Sequence, residues 1–253
     1  MNIIVGNTGL IGKTIIENVN FDLQYNSKNI NELIVDSTDG SDLFLSCLPA
    51  TKWKVNKNLQ EDLNNINNII NILSKKKYNN ITLISTIDIY NESPLNSNEL
   101  DVPKITKLSY GNNRFLFELM VSDLLSYNDL KIFRLPALFN KHIKKNILFD
   151  LINNNNVNQI NSNSYFQWYN LDKLYLDINH NIELHPNEKI FNLFTEPVHT
   201  KEIINLFPHL MNQINHNLPI MKYDYTTKFG GYIDNKENVI MDIKKFINES
   251  ISK

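Results

Sequence analysis

Three glycines spaced three residues apart, Gly6, Gly9 and Gly12, follow directly on the apolar run Ile3, Ile4 and Val5, and no other stretch constrains the chain as much. A short apolar run closed by glycine reads as a buried strand. Glycines so placed turn the backbone tightly, let it approach a ligand closely and let the next helix pack against the strand. That helix carries Leu10, Ile11, Ile15, Ile16 and Val19 on one broad face. Its unpaired N–H groups and positive dipole end suit an anion above the glycines, a pyrophosphate best of all. A dinucleotide site is the first expectation, with a glycine-rich turn in an ordinary βα unit as the plain alternative.

The elements that follow are those of an α/β chain. Phe21 to Tyr25 forms a second strand, leading into Asn26, Ser27, Lys28 and Asn29. An acid at that strand end would bind the ribose of NAD, whereas a hydroxyl and a base suit a 2′-phosphate, so Ser27 and Lys28 favour NADP over NAD, a solvated turn being the alternative. A third strand, Asp42 to Ser46, runs into Cys47, Leu48, Pro49 and Ala50. Only the stretch from Ile30 to Ser41 separates it from the second, so the crossing helix must be minimal. Leu59, Leu63, Ile66, Ile70 and Leu73 form one helical stripe. Asn80 to Tyr90 reads as a strand whose end carries Ser85, Thr86 and Asp88, on the rim that also holds the glycines. A helix then begins at Ser109 and places Tyr110, Arg114, Phe117 and Val121 on one face.

Composition bounds the function. The chain has 253 residues, 42% of them hydrophobic, and a net charge of −2, so it can bury a core and has no electrostatic pull toward nucleic acid or membrane. The single Cys47 allows no internal disulfide, and a start that is itself a strand argues against a cleaved leader, so the expected setting is the cytosol. The six histidines lack metal-ligand spacing, His209 and His216 being isolated. Trp53 and Trp168 read as packing residues. Asn recurs in runs such as Asn153 to Asn156, which we read as genome base composition, so Asn-X-Ser sequences carry no weight as glycosylation sites.

The glycine set at the start, the Ser-Thr strand end and the Tyr110-x-x-x-Arg114 helix together resemble the extended class of the short-chain dehydrogenase/reductase superfamily, the NAD-dependent epimerase/dehydratase family acting on nucleotide sugars. Ile132 to Asn140, Phe166 to Leu174 and Lys189 to Val198 resemble later segments of that class in the same order. The resemblance implies a Rossmann-type doubly wound parallel sheet with a small C-terminal substrate-binding lobe. Residues 1–140 would form the dinucleotide-binding core, completed by 166–198, and 141–165 and 199–253 would form the lobe. Gly6, Asn7, Thr8, Gly9, Leu10, Ile11 and Gly12 would hold the pyrophosphate, with Asn26, Ser27 and Lys28 at the adenosine end. Leu48, Pro49 and Ala50 would line the ribose side, and Pro136 would lie near the nicotinamide amide. Thr86 would bind the substrate oxygen, Tyr110 would pass it a proton, and the cation at position 114 would bring the phenol toward neutrality.

The sequence departs from that class at Arg114, where the family has Lys; the charge survives but the contact geometry does not. Asp88 occupies the place of a dehydratase acid, one carbon shorter than the usual Glu. The compact lobe favours a simple ketoreductase, so the expected reaction is NADP-dependent reduction of a nucleotide-linked 4-keto, 6-deoxy sugar. Three alternatives stay open: an epimerase with tightly bound NAD, a 4,6-dehydratase, and a non-catalytic NAD(P)-binding module. Lys144 and Lys145, clustered with Lys141, would meet a substrate diphosphate, and Gln167 would contact substrate. Asp172 would cap a helix, and the loop bearing Tyr223, Tyr225, Lys228, Gly230 and Gly231 would either close over substrate or lie on the surface. A homodimer would use the helix headed by Tyr110 and its neighbour, the apolar face of Leu59 to Leu73 either serving that contact or being covered within the chain.

Overall fold

A computed structural model of the chain describes residues 1–215 and 217–251, so His216 lies outside the described residues. In chain order the first elements are β1 (Asn2–Val5), α1 (Leu10–Ile16), β2 (Leu23–Tyr25), β3 (Ser41–Leu45), α2 (Lys52–Lys57), α3 (Leu59–Leu73), β4 (Lys77–Thr86), α4 (Tyr110–Leu124) and β5 (Ser126–Leu135). There follow β6 (Ala137–Phe139), α5 (Ile147–Ile152), β7 (Tyr165–Phe166), β8 (Trp168–Asn170), α6 (Leu174–Leu184), β9 (Ile190–Asn192), β10 (Val198–His199), α7 (Thr200–Ile204) and α8 (Lys236–Ile251). Two compact units result, one of residues 1–94, 101–134 and 174–192, the other of 95–100, 135–173 and 193–253.

The first unit is a six-stranded parallel sheet in the order β2-β1-β3-β4-β5-β9 with flanking helices, a Rossmann-type α/β fold. Strand β1 is an interior strand next to the β2 edge, with Ile3 paired to Leu23 on one side and to Leu43 on the other. Its Ile3 and Ile4 are fully buried, as strands covered on both faces require. The chain leaves β1 toward β2 on one side and returns to β3 on the other, so the glycine turn sits at the point where the strand order reverses. The β2-to-β3 crossing is made by a single 3-10 turn, Ile30–Ile34, whose Leu33 enters the core. The short linker leaves room for nothing longer.

Several boundaries differ from expectation for physical reasons. The second strand begins at Leu23, and Phe21 stacks at a tilt on Phe44 instead, 6.1 Å between ring centroids. The strand expected to reach Tyr90 ends at Thr86, whose hydroxyl accepts the Asp88 N–H and turns the chain into a 3-10 helix, Ile87–Tyr90. The stretch Ile132 to Asn140 is split at Pro136, which has no N–H to donate. Before it, β5 pairs with β9; after it, β6 pairs with β8 in the second unit. Phe166 likewise belongs to the second unit, and the chain returns to the first only at Leu174.

The stripe on α3 buries Ile66, Ile70 and Leu73 inside the first unit's core. The face left in water carries Gln60, Glu61, Asn64, Asn67, Asn68 and Asn71, so this helix has no apolar outer face for a second copy. Trp53, expected to pack, is 60% exposed. Val55 is the one buried residue of its six-residue helix, and the indole instead lies beneath the ammonium groups of Lys54 and Lys57, at 5.5 and 5.1 Å. Such pairs offset part of the cost of an exposed ring.

The second unit has its own core. Trp168 packs there among Phe139, Leu148, Leu151 and the Val239, Ile243, Phe246 and Ile247 face of α8. Its sheets are small: β7 with β10 antiparallel, and β6 with β8 parallel. No helix among the described residues is long and apolar enough to cross a membrane.

Burial sets a pH dependence on the first unit. Desolvation pushes the Cys47 thiol up to about 12 and raises the Tyr78 phenol above its usual range. The unfolded chain releases these protons at lower pH than the native one, so stability is full below that range and declines as pH rises through it. Urea unfolding should show a midpoint that falls between about pH 8 and about pH 10.5; a flat midpoint would contradict the burial of both groups.

Candidate active site

The glycine turn is built by two contacts that tolerate no side chain. Gly6 has φ +108°, and a Cβ there would lie 2.4 Å from the Ser46 carbonyl oxygen; a Cβ on Gly12 would lie 2.1 Å from the Gly6 carbonyl oxygen. Gly9 differs, because no protein atom comes closer than 3.4 Å to its notional Cβ. It is exposed, as is Thr8, and it heads α1 without a side-chain cap. The turn is tied to the end of β2 by the Gly6 N–H to Tyr25 carbonyl bond (2.8 Å) and by Asn7, which meets the Gln24 and Asn26 side chains. An uncapped helix start behind an open glycine fits a dinucleotide pyrophosphate. Gly12→Ala is therefore expected to cost about 1–3 kcal/mol of stability along with dinucleotide affinity, whereas Gly9→Ala should lower affinity alone. Thermal unfolding beside NADPH titration separates the two.

At the end of β2, Asn26 shapes the turn, its side-chain Oδ1 accepting the Lys28 N–H at 3.0 Å. Ser27 and Lys28 are both exposed on that turn. At the end of β3, Leu48 is half-buried and Pro49 and Ala50 are exposed.

The start of α4 is pressed against the end of β4. A Cβ on Gly111 would stand 2.0 Å from the Asp88 carbonyl oxygen, so only glycine allows this approach. Ser109 caps the helix by accepting the Asn112 N–H, and the Asn56 side chain accepts the Tyr110 N–H at 2.8 Å. Tyr110 is 6% exposed. The Arg114 guanidinium carbon lies 4.5 Å from its ring centroid. Arg114 is in turn gripped by Asp62 of α3, Nη1 to Oδ2 at 2.8 Å and Nη2 to Oδ1 at 3.0 Å, and by the Pro49 carbonyl at 2.7 Å. Asn113 donates to the same carboxylate at 2.9 Å.

This arrangement corrects the expectation that Arg114 brings the phenol toward neutrality. Burial raises the Tyr110 pKa; Arg114 pulls the other way, while Asp88 and Asp62 reinforce the rise. The net direction is upward because burial of the phenol outweighs the Arg114 charge, with Asp88 and Asp62 adding to the rise. Asp88, weighed as a dehydratase acid, is ion-paired with Lys52 at 2.7 Å.

A second buried ion pair lies further along the same helix face. Glu118, four residues beyond Arg114, accepts from Arg134 Nε at 3.1 Å and Nη2 at 2.6 Å, and from the Ser85 hydroxyl. Arg134 Nη1 reaches the Tyr90 hydroxyl at 2.6 Å. Both ends of the turn that carries Thr86 and Asp88 are thereby fixed. Asp62, Lys52, Gly111 and Glu118 were absent from the residues singled out in the sequence. The 3.6-residue period held a signal for two of them: Asp62 precedes Ile66 on the apolar stripe, and Glu118 continues the line of Tyr110 and Arg114.

The remaining candidates lie in the second unit. Pro136 is buried, and Lys144 and Lys145 are exposed ahead of α5. Gln167, expected to contact substrate, has its amide committed to backbone: it donates to the Thr195 and Tyr225 carbonyls and accepts the Tyr225 N–H. That corrects its role to holding the segment at Tyr225. Asp172 accepts from Asn140 at 3.2 Å instead of serving as a helix cap. Glu99 grips the glycine-bearing loop through the Thr227 hydroxyl and the Lys228 N–H, each at 2.8 Å. No group of three His, Cys, Asp or Glu among the described residues is placed to hold a metal ion.

A glycine turn at the strand-order reversal of a six-stranded parallel sheet defines a Rossmann-type α/β fold. No family model matches the chain, and no curated protein matches it in sequence. Solved structures do. A dTDP-4-dehydrorhamnose reductase from Bacillus anthracis in complex with NADP is similar at 15% identity and TM-score 0.68, over 98% of this chain and 97% of that one. A UDP-N-acetylglucosamine 4-epimerase from Bacillus cereus is similar at 15% identity and TM-score 0.62, over 88% of each chain. An NAD-dependent NDP-hexosamine 5,6-dehydratase of tunicamycin biosynthesis is similar at 12% identity and TM-score 0.76, over 100% of this chain and 98% of that one. At these identities the likeness is one of fold. The three neighbours are named for different reactions, so the shared fold does not by itself fix one.

Proposed function

We propose that this chain is an NADP-dependent reductase of a nucleotide-linked 4-keto sugar, working in the cytosol. The observation that carries the reading is the close seat of Gly111 on the Asp88 carbonyl, which draws Tyr110 up to the turn bearing Thr86 on the same rim as the glycine loop. The Thr86 oxygen already accepts the Asp88 N–H, which leaves its own O–H to donate to a substrate carbonyl oxygen. Tyr110 then supplies the proton that the developing alkoxide needs. When bound, the nicotinamide supplies the hydride. Ser27 and Lys28, exposed at the end of β2, suit a 2′-phosphate. The Lys52 partner of Asp88 argues against dehydration, which needs that carboxyl as an acid.

The test is the cofactor released from freshly purified protein, then titration with NADPH and NADH, then NADPH consumption with a nucleotide-linked 4-keto-6-deoxy sugar. Protein that purifies empty, prefers NADPH and turns over supports the reading. Tightly held NAD would move it to an epimerase, and failure to bind either nucleotide would overturn it.

A further inference from the structure

Tyr110, Arg114 and Glu118 stand four residues apart on α4, so they share one line along the helix, and all three are buried. Ordinarily a buried guanidinium against a phenol would be a strong positive charge favouring phenolate. Here a carboxylate from another helix intercepts it. Asp62 engages two guanidinium nitrogens, Asn113 holds Asp62 in place, and the Pro49 carbonyl takes a further N–H. The exposures of the paired side chains, 6% and 3%, leave little water to screen the pair. The phenol also feels Asp88, whose charge is matched by Lys52, and the Arg114 charge reaches the Cys47 thiol as well. Each cation facing Tyr110 is therefore matched by a carboxylate.

We propose that Asp62 is a positioning residue that keeps Tyr110 protonated for carbonyl reduction: it clamps Arg114 against the Tyr110 ring and offsets its charge, so Tyr110 rests as a proton donor. This rests on the reductase reading above. In the forward step, hydride from NADPH adds to the carbonyl carbon, the C=O pair moves to oxygen, and that oxygen takes the Tyr110 proton. The phenolate left behind regains a proton from water. The reverse step needs Tyr110 to begin as phenolate, which a charge-balanced, buried site does not favour. Raised Tyr110 acidity range agrees with this geometry.

Asp62→Asn keeps the shape and removes the balancing charge. The high-pH limb of the sugar-reduction rate, where Tyr110 loses its proton, is expected to move down by about one pH unit, a tenfold change in phenol acidity. Tyrosinate absorbance, read without substrate or cofactor, should gain one group titrating below about pH 10 in Asp62→Asn that is absent from Asp62→Asn/Tyr110→Phe. Wild type against Tyr110→Phe should show no such group. A folded Asp62→Asn protein with an unchanged high-pH limb and unchanged titration overturns the proposal. If Asp62→Asn does not fold, Asp62→Glu decides. The same charge on a longer stem displaces the guanidinium, so reduction kcat should fall while NADPH affinity and tyrosinate titration hold, and a wild-type kcat overturns the proposal. Failure of the wild-type protein to bind NADPH overturns the reductase reading, and the tyrosinate comparison still reports on the charge clamp.

Discussion

Glu118→Ala is expected to cost about 3–5 kcal/mol, the range for removing one partner of a buried ion pair. Arg134 and Glu118 expose only 2% and 3% of their side chains, so an orphaned guanidinium would have no water to turn to. The loss spreads beyond the pair, because Glu118 also accepts the Ser85 hydroxyl while Arg134 holds Tyr90. Glu118→Gln should cost less, since the amide retains an acceptor for Arg134. Urea unfolding of the two variants beside wild type reads both values. A cost under about 1 kcal/mol for the alanine variant would mean that water reaches Arg134 and that the pair is not sealed.

Tyr110→Phe is expected to lower reductase kcat by about 10²–10⁴-fold, the usual contribution of a positioned proton donor. It removes a single oxygen from a ring that the fold already buries, so stability and NADPH affinity should hold. The separation of effects is the informative part. A loss of kcat with intact binding assigns the proton to Tyr110. Unchanged turnover would place the proton donor elsewhere, and absence of turnover in wild type with intact NADPH binding would mark a binding module. Steady-state rates with NADPH at fixed saturation distinguish these outcomes.

Much of the first unit was legible because its signals are local. The strand-glycine-helix opening and the α3 stripe from Leu59 to Leu73 are each set by a few neighbouring residues, and α3 spans that stretch. The short β2-to-β3 linker likewise announced a minimal crossing, and a 3-10 turn makes it. The Pro136 break and the turn at Thr86 were harder, because the flanking residues remain apolar through both. What escaped in the site was pairing at long range. Asp62 and Arg114 are 52 residues apart and Glu118 and Arg134 are 16 apart, and periodicity marks a buried face without naming the partner across from it. The direction of the Tyr110 shift also followed from long-range packing: a lone Arg114 predicts a more acidic phenol, and burial of the ring, with smaller contributions from Asp88 and Asp62, outweighs it.

The two tryptophans fall one to each unit, Trp53 in α2 and Trp168 in β8. Their surroundings are opposite, 60% exposed against 1%. An indole already in water emits at long wavelength and changes little on unfolding, whereas a sealed one emits at short wavelength and shifts when its core opens. The intrinsic fluorescence red shift of this protein is therefore a report on the second unit, and far-ultraviolet dichroism weighs both. Coincident transitions by the two probes would mean that the units melt as one cooperative body, and separated transitions that each holds its own stability.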